Sequence, residues 1–186
     1  MTKQFIFFAF FISFSLFFTA CDPDEPMGGD PVEVITTVTY TLTPLSGGEP
    51  VVMTIRDLDG DGGEDPEVTE GVLMANTTYL GSFTLLNELE TPVGDVSAEV
   101  LEEGLDHQFF FSQTVDGFTI TYADIDVAGF PIGLATTLTT TVPESGNLNV
   151  ILRHELTKNA DGVREGNIMN AGGETDVEVN FPINVQ

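Results

Sequence analysis

The sequence predicts an all-β domain: an antiparallel β-sandwich, immunoglobulin-like, with about eight strands and one short helix. Three observations predict it. Apolar and polar residues alternate over short runs, β-branched and aromatic residues dominate those runs, and breaks rich in Gly, Pro, Asn and Asp separate them.

In the first run, residues 32–42, Val32, Val34, Val38, Tyr40 and Leu42 hold alternate positions, and Glu33, Thr37, Thr39 and Thr41 fill most of the others. Period two with β-branched residues describes a half-buried strand. Ser46-Gly47-Gly48-Glu49-Pro50 turns the chain, and residues 51–58 offer a second strand. Further strands are expected at 77–86, 108–113, 118–123, 134–142, 148–155 and 175–185. The breaks at Asp116-Gly117, Glu144-Ser145-Gly146-Asn147 and Gly172-Gly173 carry turn chemistry. In the fourth of these eight runs, 108–113, Phe109-Phe110-Phe111 fills core. Between residues 95 and 105, Val96, Val100, Leu101 and Leu105 lie near helical spacing. Asp95 is placed to cap the start and Gly104 weakens the end, so the short helix is expected there.

Ahead of the domain, Lys3 is followed by an apolar run from Phe5 to Phe18, broken only by Ser13 and Ser15, and then by Thr19-Ala20-Cys21. A basic start, a short apolar core and small residues at the end describe a secretory signal over residues 1–20. The run is shorter than the roughly 20 apolar residues that span a bilayer. Phe18-Thr19-Ala20-Cys21 resembles the lipobox of bacterial lipoproteins, which implies lipidation of Cys21, the chain's one cysteine. Residues 21–31 are an acidic linker extended by prolines. Its start, Asp22-Pro23-Asp24-Glu25, resembles the signal that exports Bacteroidota lipoproteins to the outer face of the outer membrane. Residues 32–186 form the single β-sandwich domain, held to the membrane through the lipid anchor only.

The chain has 5 Lys+Arg against 30 Asp+Glu. Loss of residues 1–20 removes Lys3 and no acid, leaving 4 − 30 = −26. Such a surface excludes nucleic-acid binding, which needs basic patches.

The sharpest local pattern is Asp57-Leu58-Asp59-Gly60-Asp61-Gly62, with Glu64, Asp65 and Glu67 behind it. Carboxylates at alternate positions before a glycine turn resemble the first half of an EF-hand loop, so Asp57, Asp59, Asp61, Glu64 and Asp65 are calcium candidates. Position 12, which needs a bidentate Glu, is Val68, so the last ligand must come from elsewhere. Asp124-Ile125-Asp126-Val127-Ala128-Gly129 is a weaker echo. Arg153, Lys158 and Arg164 fall within twelve residues, with His154 among them. That patch suits an anionic ligand or a partner's acidic loop, or it pairs with nearby Glu155, Asp161 and Glu165. His107 and His154 are the two histidines, each beside an acid. Imidazole with carboxylate suits zinc or copper, but spacing does not join the two, and isolated histidines at strand ends favour a structural role. No Gly-x-Ser-x-Gly, His-Glu-x-x-His or phosphate-binding glycine loop is present.

Asp57 to Gly63, Ala75 to Tyr79, Asp106 to Phe110, Leu152 to Glu155 and Asn170 to Asp176 are similar to a group of short Bacteroidota lipoproteins. That group is sometimes assigned to the type 1 periplasmic binding fold, a two-domain α/β architecture roughly twice this length. The resemblance implies lipoprotein nature and lineage. The function expected is a non-enzymatic binding or accessory domain at the cell surface, contacting an extracellular ligand or an outer-membrane transporter, with calcium in the fold. Metal capture by His107 and His154, an adhesive module and a glycan-active enzyme are the alternatives.

Overall fold

A computed structural model describes residues 33–60 and 62–186. The expectations for residues 1–32, lipidation of Cys21 included, lie outside the described residues, as does Asp61. The described residues form one compact unit.

Two sheets carry the fold. The first contains β1 (Thr37–Pro44), β2 (Val51–Arg56), β3 (Glu67–Val68), β5 (Thr77–Asn87), β6 (Gly94–Asp95), β8 (Phe118–Tyr122) and β9 (Ala135–Thr140). Its order is β3-β2-β1-β5-β9-β8, with β6 also on β5. The second contains β4 (Gly71–Leu73), β7 (His107–Gln113), β10 (Glu144–His154) and β11 (Glu174–Val185), in the order β4-β11-β10-β7. Pairing is antiparallel except between β4 and β11. The all-β sandwich expected from period two is the architecture found. The three short strands β3, β4 and β6 are additional, because two or three residues are too few to show alternation.

Alternation sets the core. Val38, Tyr40 and Leu42 of β1, Tyr79, Phe83 and Leu85 of β5, and Leu148, Val150 and Leu152 of β10 all face inward and are buried. Phe83 stacks on Tyr40 with centroids 4.1 Å apart and on Phe109 at 4.8 Å, so a ring column joins the sheets. Gly81 makes room for it, since a Cβ there would strike the Tyr40 ring. The Tyr40 hydroxyl meets Thr136 Oγ1 at 2.7 Å, and burial pushes the phenol well above its ordinary pKa. Phe110 points the other way and packs with Leu156, Val163 and Ala171 beneath residues 155–173, which cover the outer face of the second sheet.

The helix α1 (Val96–Glu102) is shorter than expected, and Asp95 occupies its N-cap without a side-chain hydrogen bond. Val96 and Val100 are buried, whereas Leu101 and Leu105 are exposed. The Leu85 amide donates to Ser97 Oγ, which holds α1 on β5. Among the described residues, no helix is long and apolar enough to cross a membrane.

Candidate metal centre

The inward rows of β7 and β10 end in histidine. His107 is in phase with Phe109 and Phe111, and His154 is in phase with Val150 and Leu152. The antiparallel register sets them directly opposite each other, with rings stacked at 4.5 Å and 10°. Spacing along the chain does not join these histidines, but strand pairing does.

Asp176 reaches the same point through a break in register. Leu152 pairs with Val177 and Arg153 with Thr175, which leaves Asp176 as an extra residue. A bulge redirects a side chain that strict alternation would send outward. The Asp176 carboxylate is 0% exposed, with Oδ2 at 3.6 Å from His107 Nε2 and Oδ1 at 3.8 Å from His154 Nδ1. The fourth group is Glu33, upstream of β1, whose Oε1 lies 3.1 Å from His107 Nε2. One ligand atom from each of Glu33, His107, His154 and Asp176 can be chosen so that all lie within 4.8 Å of one another.

The His107 tautomer follows from its Nδ1 partner. Its Nδ1–H donates to the Glu103 carbonyl at 3.1 Å, an acceptor left over at the end of α1. In the neutral ring the Nε2 lone pair therefore faces two carboxylates. His107 Nε2, Glu33 Oε2 and both Asp176 oxygens are buried without a hydrogen-bond partner. Burial, and then the charge of Glu33, push the Asp176 carboxyl up to about 7. These are acceptors gathered around a point that lacks a positive centre.

A transition-metal dication would supply that centre. Tetrahedral coordination at about 2.1 Å separates ligand atoms by roughly 3.4 Å, close to the contacts above. Two imidazoles with two carboxylates match zinc and its neighbours, not calcium, which takes six to eight oxygens. The two carboxylates would balance a dication's charge, and the Glu103 carbonyl is placed to orient His107 as an outer-shell partner would. Four candidate protein ligands in a nearly closed site would suit a held ion better than one with an open catalytic position.

The approach of β11 to His154 depends on Gly172-Gly173. Gly173 has φ +69, and a Cβ there would collide with the His154 carbonyl. Glu155, just past His154, also has a positive φ, of 51. Gly173→Ala is expected to lower stability by about 1–2 kcal/mol in urea unfolding, from steric clash in a left-handed conformation.

The other sequence candidates are engaged elsewhere. Arg153 points outward and donates to the carbonyls of Gly172 and Gly173 and to Thr175 Oγ1. It braces the turn that delivers Asp176. Lys158 is buried, donating to Asp126 Oδ2 at 2.8 Å and to the Gly104 carbonyl, and Arg164 donates to the Gly129 carbonyl. The expected patch is thus dispersed, and its partners are not Glu155, Asp161 or Glu165. Asp124 accepts from the Gly133 and Ala135 amides, and Asp126 from those of Ala128 and Phe130. Their carboxylates staple the 123–135 loop.

In the 57–65 loop, Asp57 Oδ1 accepts from the Asp59 and Gly60 amides and Asp59 Oδ2 from the Glu64 amide. Asp59, Glu64 and Asp65 are exposed. Among the described residues these carboxylates do not form a converging group, and Glu33, His107, His154 and Asp176 do.

No protein-family model matches the chain, and no curated protein matches it. A solved structure similar to it, the S-layer protein SbsC domains 4 and 5, is 12% identical, with 78% of this chain and 75% of that one covered and a TM-score of 0.33.

Proposed function

We propose that this protein is a lipid-anchored domain, displayed outside the cytoplasm, that binds one transition-metal dication of the zinc class through Glu33, His107, His154 and Asp176. The observation that carries the reading is the meeting of two imidazoles and two carboxylates from four separate segments, with His107 Nε2, Glu33 Oε2 and both Asp176 oxygens buried and unpartnered. The anchoring part is supported by the apolar run ending in Phe18-Thr19-Ala20-Cys21. Outer-membrane display on a Bacteroidota cell is supported by the acidic residues after Cys21, and non-enzymatic binding by the closed shape of the site.

Isothermal titration of the full chain in detergent micelles with zinc tests the reading. One equivalent should bind, and His107→Ala and His154→Ala should each weaken binding by roughly 100-fold or more, above the 10–100-fold typical of an outer-shell partner. Unchanged affinity in both variants, or no heat from the wild type, contradicts it. Titration with calcium separates the 57–65 loop from the centre, since calcium at the loop would bind equally to both histidine variants.

A further inference from the structure

The four ligands do not share a sheet. His107, His154 and Asp176 belong to β7, β10 and β11 of the second sheet, whereas Glu33 precedes β1 of the first. Thr36 ties this entry segment down, its amide and its hydroxyl donating to the Leu86 carbonyl. Among the described residues upstream of Thr36, no backbone hydrogen bond joins the segment to either sheet. Ile35 packs on the core, while Val34 is 53% exposed. The segment's remaining hold is the Glu33 carboxylate in the cluster.

That hold changes sign with the metal. Without a cation, Glu33 Oε2 and the Asp176 oxygens face one another as buried, unpartnered acceptors, and their approach is unfavourable. With a dication, both carboxylates bind one ion and the repulsion becomes a shared attraction. We propose that the metal acts as a clasp, fastening residues 33–35 to the second sheet when present and releasing them when absent. The proposal rests on the metal-binding reading of the same site. Residues 21–32 lie between Cys21 and this segment in the chain, so tension on a chain anchored at Cys21 enters the domain at Glu33. The clasp would deliver that tension to both sheets rather than to β1 alone.

Amide hydrogen exchange on the full chain in detergent micelles, with and without zinc, tests the clasp, with titration calorimetry run on the same samples. Zinc should slow exchange at Thr36, whose amide donates to the Leu86 carbonyl at the end of this segment, by about tenfold or more, as expected for a locally opening segment that becomes fixed. Glu33→Gln removes a ligand from a residue outside every strand, so the fold should survive. This variant should bind zinc at least about tenfold more weakly and lose the protection at Thr36. Zinc binding without protection at Thr36, or wild-type zinc affinity in Glu33→Gln, overturns the clasp and leaves the metal site standing. No zinc binding overturns both.

Discussion

Saturating zinc should raise the melting temperature of the wild-type protein by about 10 °C and leave that of the His107→Ala/His154→Ala double variant unchanged. A ligand that binds only the native state, at about 1,000 times its dissociation constant, stabilises by about 4 kcal/mol. For a domain of this size each kcal/mol corresponds to roughly 2–4 °C. The native state alone brings Glu33, His107, His154 and Asp176 together, since their positions span residues 33 to 176 in the sequence. Asp176→Asn should act in opposite directions with and without metal. It should stabilise the metal-free protein by about 1 kcal/mol or more, because a buried carboxylate facing Glu33 is replaced by a neutral group. It should also remove most of the zinc-dependent shift. Differential scanning calorimetry reads both, and an equal zinc shift in the wild type and the double variant would place the ion elsewhere.

Replacing Lys158 by methionine should cost about 3–5 kcal/mol, a loss unrelated to metal. Lys158 is 5% exposed and joins three segments: its own loop, the Gly104 carbonyl beyond α1, and Asp126 in the 123–135 loop. Burial lowers the Lys158 pKa despite its acidic neighbours. Burial also opposes the Asp126 charge, but the Lys158 ammonium and the Phe130 and Ala128 amides outweigh it and hold the carboxyl below its ordinary range. Removing the lysine leaves an uncompensated charge in the interior, which is the costly way to break a buried pair. Asp126→Asn added to Lys158→Met should recover part of the loss, because the amide oxygen still accepts from the loop. Urea unfolding of the two singles and the double gives the coupling energy. A loss below about 1 kcal/mol for Lys158→Met would mean the pair behaves as a surface contact.

The strands were legible because each is a local pattern. The alternation of Val38, Tyr40 and Leu42, or of Leu148, Val150 and Leu152, needs no knowledge of the partner strand. The centre was half legible for the same reason. His107 and His154 occupy the inward phase of their strands, so a core position was readable for each, but their meeting depends on β7 pairing with β10, a nonlocal fact. Asp176 was hidden, since Val177, Val179, Phe181 and Ile183 alternate inward and put it on the solvent side. Only the bulge at Leu152/Arg153 turns it in. Glu33 sat among valines as the polar member of an alternating run, in a segment that does not become a strand until Thr37. The acidic loop drew attention because its carboxylates are adjacent in sequence, where sequence reading is strongest. Those of Asp57 and Asp59 accept from amides of their own loop.

The central claim is that Glu33, His107, His154 and Asp176 hold one metal ion. Anomalous diffraction at the zinc edge, from crystals grown with one equivalent of zinc, tests it most directly. The account predicts a single peak about 2.0–2.2 Å from one ring nitrogen of each histidine and from an oxygen of each carboxylate. A peak confined to the 57–65 loop, or none in the space between the two imidazoles and Asp176, would contradict it.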